Sequence, residues 1–153
     1  MNPRAELRQP PLVDLLGIKI TQVSLDKVTA ELPVSKEVTN PNGTLHGGVV
    51  MALADNLGGT ATAINLPAGG RTATIESKTN FFAAVPAGDT AYAECTPLHR
   101  GRTTMVWQTR IIRNDGKSRA LNVLALSSSW KDEGTPASTV HSSSSNRSRT
   151  VSG

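Results

Sequence analysis

Asp55 is the one ionisable side chain between His46 and Arg71, and it stands in the middle of an apolar stretch. A carboxylate left unpaired away from water is costly, so this one must be hydrogen-bonded, neutral or turned toward a cavity. Bracing a neighbouring loop would satisfy it. So would work as a base or nucleophile held out of bulk water, the setting in which reactive acids concentrate. Upstream lies His46-Gly47-Gly48. At a helix start the first N–H groups are unpaired and carry partial positive charge, and glycine lets a ligand approach that backbone closely. The Gly47 N–H could then hold an oxyanion forming on an ester or thioester carbonyl. Alone, His-Gly-Gly says little, because glycine pairs are common and a lone histidine is more often structural than catalytic.

Spacing sharpens the reading. Gly47 and Asp55 are eight residues apart, which on one helix is about 12 Å along the axis. A carbonyl held by one group and attacked through the other needs both within about 3 to 4 Å. One helix cannot supply both to one substrate. If both act together, the amide of one protomer must meet the acid of a second, with the two helices side by side and antiparallel, in a two-fold dimer with two shared sites.

The elements that would position these residues follow from periodicity. HGGVVMALADNLGGTATAINL (46–66) has no proline, one acid and no polar face, which predicts a long helix buried nearly all round. Its glycines cost roughly 1 kcal/mol each when interior, a penalty that fits close approach of neighbouring groups. A membrane span is rejected, since half the stretch is Gly, Ala, Thr or Asn and a central Asp would cost about 3 kcal/mol on insertion. Upstream, PLVDLLG (11–17) reads as a helical turn stopped by Gly17. Ile18 and Ile20, then Val28, Ala30, Leu32 and Val34, recur at every second position around an Asp26-Lys27 hairpin. Downstream, four β-branched runs (72–82, 90–98, 103–112 and 118–130) are separated by PAG, HRG and NDG turns, and strands joined by short turns pair antiparallel. The expected class is α+β, a hotdog fold in which one antiparallel sheet of about six strands wraps a long central helix.

The chain has 153 residues, 37% of them apolar and 3% aromatic. That is one domain whose core is Ala, Val, Leu and Ile, without the aromatic surface that stacks nucleic-acid bases. The domain is expected over 12–131, between a loose leading segment (1–11) and a disordered Ser-rich tail (132–153) too poor in apolar side chains to offset the cost of ordering it. Cys95 stands alone, which excludes an intrachain disulfide and a Cys-rich zinc site and fits a reducing compartment. No secretory signal opens the chain, so the expected location is cytoplasmic. Between residues 99 and 119, Arg100, Arg102, Arg110, Arg113, Lys117 and Arg119 face a single acid, Asp115. The cluster is either a solvated strand face or the seat of an anionic partner.

NPNGTLHGGVVMALADNLGG (40–59) resembles the signature of hotdog-fold acyl-CoA thioesterases of the phenylacetic acid degradation (PaaI) type, in the 4-hydroxybenzoyl-CoA thioesterase superfamily. The likeness extends to LLGIKI (15–20), AELPVSKE (30–37), PAGD (86–89) and LHRGRT (98–103). It implies hydrolysis of an aromatic or short- to medium-chain acyl-CoA to coenzyme A and free acid, with no metal and no cofactor. By the same resemblance Asp55 is the base or nucleophile and Gly47 the oxyanion amide, with His46 positioning the thioester or supporting that amide. Asn40 orients the substrate or the attacking water, and the Thr74 hydroxyl holds that water. Residues lining the coenzyme A path are implied at Phe81, Phe82, His99, Arg100, Gly101, Arg102, Thr103 and Thr104; ordinary packing is the competing account of the two phenylalanines. The implied assembly is a homodimer, pairing further into a tetramer, with no nucleic-acid or membrane partner. Two other functions compete. A hotdog hydratase or dehydratase would use an acid–histidine dyad, but no His follows Asp55 on the helix. A non-catalytic acyl-CoA-binding module would bind without releasing thiol. Cys95 reads as core, with no nearby His and no helix terminus to activate it.

Overall fold

The computed structural model describes residues 9–129. The expected tail and most of the expected leading segment lie outside the described residues. Helix α1 (Pro11–Leu16) has Pro in its first turn and ends on Gly17, whose φ of 71° is a left-handed conformation suited to glycine. β1 (Lys19–Val23) and β2 (Val28–Pro33) form the hairpin expected around Asp26 and Lys27, with Val28, Ala30 and Leu32 turned inward. A short 3-10 turn (Lys36–Val38) leads to α2 (Gly47–Asn65), followed by β3 (Arg71–Phe81), β4 (Thr90–Arg100), β5 (Thr104–Ile112) and β6 (Ser118–Ser129).

All six strands join one antiparallel sheet in the order β1-β2-β4-β5-β6-β3, with α2 against one face. This is the α+β architecture expected, with one correction in its connectivity. The PAG turn does not pair β3 with β4: β3 lies at the far edge against β6, and β4 returns between β2 and β5. The intervening segment is a crossover. Leu45 N–H donates to the Val85 carbonyl and Ala87 N–H to the Gly43 carbonyl, so the segment is stitched to the chain just ahead of α2 instead of folding back on β3.

The core is aliphatic around one large ring. Trp107 is fully buried and its Nε1–H donates to Thr62 Oγ1 across 2.8 Å, which ties β5 to α2 without leaving a polar atom orphaned. Gly58 allows that approach, since a Cβ there would lie 2.3 Å from Leu124 Cδ2. Val50, Leu53, Leu57, Ala61 and Ile64 of α2 are buried against the sheet. Burial all round is not what the single chain shows: a stripe through Gly48, Met51, Asp55 and Gly59 is exposed or half-buried, Met51 to 40%. The sheet covers one side of the helix; on the other, Gln9 and Pro10 reach it beside Asp55, Asn56 and Gly59, while Gly48 and Met51 stay exposed. The adjoining edge strand β3 is likewise exposed along most of its length. Among the described residues no helix is long and apolar enough to cross a membrane.

Candidate active site

The start of α2 accounts for its orphan N–H groups one by one. His46 is the N-cap, in extended conformation, and its own N–H donates to the Val38 carbonyl at 2.9 Å. Gly48 N–H donates to His46 Nδ1 at 2.9 Å, and Val49 and Val50 N–H donate to the His46 carbonyl. Only the Gly47 N–H is left without an acceptor among the described residues. A free, half-buried donor at the positive end of a helix is a ready site for developing negative charge. Because His46 Nδ1 accepts, the ring carries its proton on Nε2, and that proton is available to a ligand.

Asp55 lies two turns further along the same helix, about 12 Å from Gly47 along the axis. It is half-buried, so the expected exclusion from bulk water is incomplete in one chain. Thr74 on β3 donates its hydroxyl to Asp55 Oδ1 at 2.8 Å, which fixes one carboxylate oxygen and leaves the other free. Thr74, the residue expected to hold a water, spends its hydroxyl hydrogen on the acid and keeps its oxygen lone pairs as acceptors. Asn40 is also anchored. Its Oδ1 accepts from Asn42 N–H, Thr44 N–H and the Thr44 hydroxyl at 3.0, 3.3 and 3.2 Å, closing the NPNG turn. With the oxygen occupied, only the Nδ2 amino group can face a substrate, so Asn40 can act there only as a donor.

The residues expected along a coenzyme A path separate into two places. Phe81 and Phe82 are both exposed, to 54% and 60%, so core packing accounts for neither. The Phe81 ring lies beside the N-terminus of α2, where a Cβ on Gly47 would sit 3.4 Å from its Cζ. Residues 99–104 form the β4–β5 turn at the opposite end of α2. Arg100 is not free to grip phosphate there: it pairs with Asp26 at 2.7 Å and donates to the Leu25 carbonyl and to Asn65 Oδ1. His99 and Arg102 are exposed, as is Thr103, and Thr104 is half-buried. Gly101 closes the turn through its N–H to the Thr104 carbonyl at 2.9 Å, and a Cβ there would sit 2.6 Å from Nε2 of the exposed His99 ring. Cys95 is fully buried, and burial pushes its thiol up to about 11, which fits core packing and not nucleophilic attack. No group of three or more potential metal ligands occurs among the described residues.

A cavity of about 220 Å³ opens beside Asp55, lined also by Gln9, Pro10, Asn56, Gly59 and Thr60. Gln9, Pro10 and Asn56 are not among the residues the sequence marks as candidates. The polar Asn56 next to the candidate acid was a usable signal; nothing local marked Gln9.

Residues 42–120, more than half of the chain, match the thioesterase superfamily. The chain belongs to that superfamily. It is 34% identical over 106 residues to the proofreading thioesterase EntH of Cronobacter turicensis, covering 69% of this chain and 77% of the relative. Over 101 residues it is 34% identical to the 1,4-dihydroxy-2-naphthoyl-CoA hydrolase of Listeria monocytogenes, covering 65% and 80%. A crystal structure of a Haemophilus influenzae thioesterase superposes with a TM-score of 0.73 at 33% identity, covering 76% of this chain and 81% of that one. The fold is the hotdog fold, and the chain is a thioester hydrolase.

Proposed function

We propose that the chain hydrolyses an aromatic or short- to medium-chain acyl-CoA at two sites shared across a symmetric dimer. Asp55 of one protomer activates water, and the Gly47 N–H of its partner polarises the thioester carbonyl. One observation carries this reading: the unclaimed N–H at the start of α2 and the carboxylate two turns on are too far apart to serve one carbonyl, yet both lie along the uncovered side of the helix. A partner helix laid antiparallel on that stripe would bring the two together twice.

In the proposed reaction the free Asp55 oxygen accepts a proton from water as the water oxygen attacks the carbonyl carbon. The carbonyl oxygen takes up the negative charge against the Gly47 amide at the positive end of α2. The carbon–sulfur bond then breaks and the thiolate departs, a leaving group good enough for a weak carboxylate base to suffice. His46 Nε2–H and Asn40 Nδ2 are donors at the same end of the helix, suited to orienting the thioester. Thr74 keeps the Asp55 carboxylate aimed. Phe81 flanks the pantetheine approach beside Gly47. The β4–β5 turn lies ten residues beyond Asp55 along α2, about 15 Å by helical rise, so Arg102 and His99 could meet phosphate groups there.

The test is thiol release from benzoyl-CoA, phenylacetyl-CoA and hexanoyl-CoA, followed with a thiol reagent. Release by wild type, lost in Asp55→Asn, is the expected result. Equal release by both proteins removes Asp55 from the mechanism, and coenzyme A binding without release favours a binding module.

A further inference from the structure

The cavity beside Asp55 has a wall from a part of the chain that the core does not include. Gln9 and Pro10, just ahead of α1, form one side of it, while Asn56 and Gly59 of α2 form another. The two sides are joined by a single bond: Asn56 Nδ2 donates to Gln9 Oε1 at 3.1 Å, across 47 residues of sequence. The bond occupies the Asn56 amino group and the Gln9 carbonyl, and apart from Asp55 no charged side chain lines the space. Gly59, one turn after Asp55, leaves the cavity open, because a Cβ there would meet nothing within 4 Å.

We infer that this strap sets the acyl selectivity of the enzyme, with the Gln9–Asn56 bond acting as a stop at the end of the acyl chain. The inference rests on the hydrolase reading above. A dry apolar cavity of about 150 Å³ is enough for benzene, so about 220 Å³ holds one aromatic ring with a short linker, or an uncharged chain of similar bulk. The substrate class is therefore an uncharged aryl or short acyl thioester. Gln9, Asn56 and Gly59 determine specificity, and none of them moves a proton.

The experiment measures kcat/KM for benzoyl-CoA and for decanoyl-CoA in the full chain and reads their ratio, which partial unfolding would leave unchanged. Asn56→Ala and Gln9→Ala each remove the stop and should shift the ratio toward decanoyl-CoA by about tenfold, the order expected for pocket-size discrimination. The double variant should shift it no further than either single, since both delete the same bond. Gly59→Val narrows the cavity and should shift the ratio toward smaller acyl groups, read as acetyl-CoA against benzoyl-CoA. A ratio unmoved in all variants, with wild type active, overturns the strap and leaves the hydrolase reading standing. Wild type inactive on every acyl-CoA overturns both. Activity that survives Asp55→Asn while the ratios still shift overturns the base and upholds the strap.

Discussion

Thr74, on the exposed edge strand, donates its hydroxyl hydrogen to the carboxylate of Asp55 on the central helix across 2.8 Å. The bond joins the two elements whose uncovered faces adjoin, so the candidate acid is aimed by a residue at the rim of the site. A hydrogen bond to a charged group is worth about 1.5 to 3 kcal/mol, and about 1.4 kcal/mol is tenfold in rate. Thr74→Val is expected to lower kcat roughly tenfold with little change in KM, and Thr74→Ser to restore most of it. Asp55→Asn should lose on the order of 10²- to 10⁴-fold. Steady-state kinetics on one acyl-CoA checks all three; a Thr74→Val enzyme with unchanged kcat would show the bond to be idle.

Gly47→Pro tests the amide with little disturbance to the helix. Proline is tolerated at the first helical position, where its only subtraction is an N–H, and His46 already has the extended backbone that a residue before proline prefers. Loss of one oxyanion donor costs about 10²- to 10³-fold in kcat, while Gly47→Ala, which retains the N–H, should stay within a few fold. Co-refolding Gly47→Pro with Asp55→Asn then reads out whether sites are shared. A mixed dimer would hold one site with both residues intact, so an equal mixture should recover roughly a quarter of wild-type activity. No recovery places both groups in one protomer.

Two-fold symmetry also fixes the residue at the axis. If Gly47 stands opposite the Asp55 of a second copy, the midpoint is Met51, which is 40% exposed in the single chain. Met51→Cys should therefore be joined efficiently to itself by a short bismaleimide, because Cys95 is buried and out of reach. Cysteine placed at Leu25, exposed in the β1–β2 turn whose carbonyl accepts from Asn65 at the far end of α2, should not cross-link. Equal cross-linking at both positions would argue against a helix-to-helix dimer.

How much of this could be read from the chain alone depended on how local the cause was. The long helix was visible because length, missing proline and missing polar face all act within one segment, and Gly47 and Asp55 are candidates because their residue types stand out inside it. The place of β3 was not, since turn residues report where a chain bends and carry no information on which distant strand it rejoins. Arg100 shows the same limit at side-chain scale. Its partners Asp26 and Asn65 come from other elements, as does the Asp89 that pairs with Arg113, and a cluster of like charges in sequence gives no sign that such members are already neutralised. Gln9 and Asn56 meet only because the segment ahead of α1 folds across α2.

Arg100 and Arg102 should accordingly separate in their effects. The Arg100–Asp26 pair is well exposed and such pairs contribute at most about 1 kcal/mol, so Arg100→Ala is expected to lower Tm by a few degrees and leave KM nearly unchanged. Arg102 is exposed and has no side-chain partner among the described residues. Arg102→Ala should raise KM for acyl-CoA severalfold, most at low ionic strength, with Tm unaltered. Thermal melts and KM at two salt concentrations distinguish the pair, and the opposite pattern would put the phosphate contact on Arg100.

Cys95 makes stability fall at alkaline pH in a way that can be isolated. Burial raises its thiol from an ordinary 9.0 to about 11, so the folded protein holds this proton more tightly than the unfolded chain does. Between those values the unfolded chain releases it and the folded one does not. The contribution is therefore complete below about pH 9 and is lost as pH rises toward 11, at roughly 1.4 kcal/mol per unit at most. Urea unfolding from pH 7 to 10.5 should show wild type losing on the order of 2 kcal/mol more than Cys95→Ala across that range, even though Cys95→Ala starts lower for want of packing. Parallel pH slopes in the two proteins would mean that the thiol ionises as readily in the fold as in water. The same burial predicts that iodoacetamide at pH 8 modifies Cys95 only after urea is added.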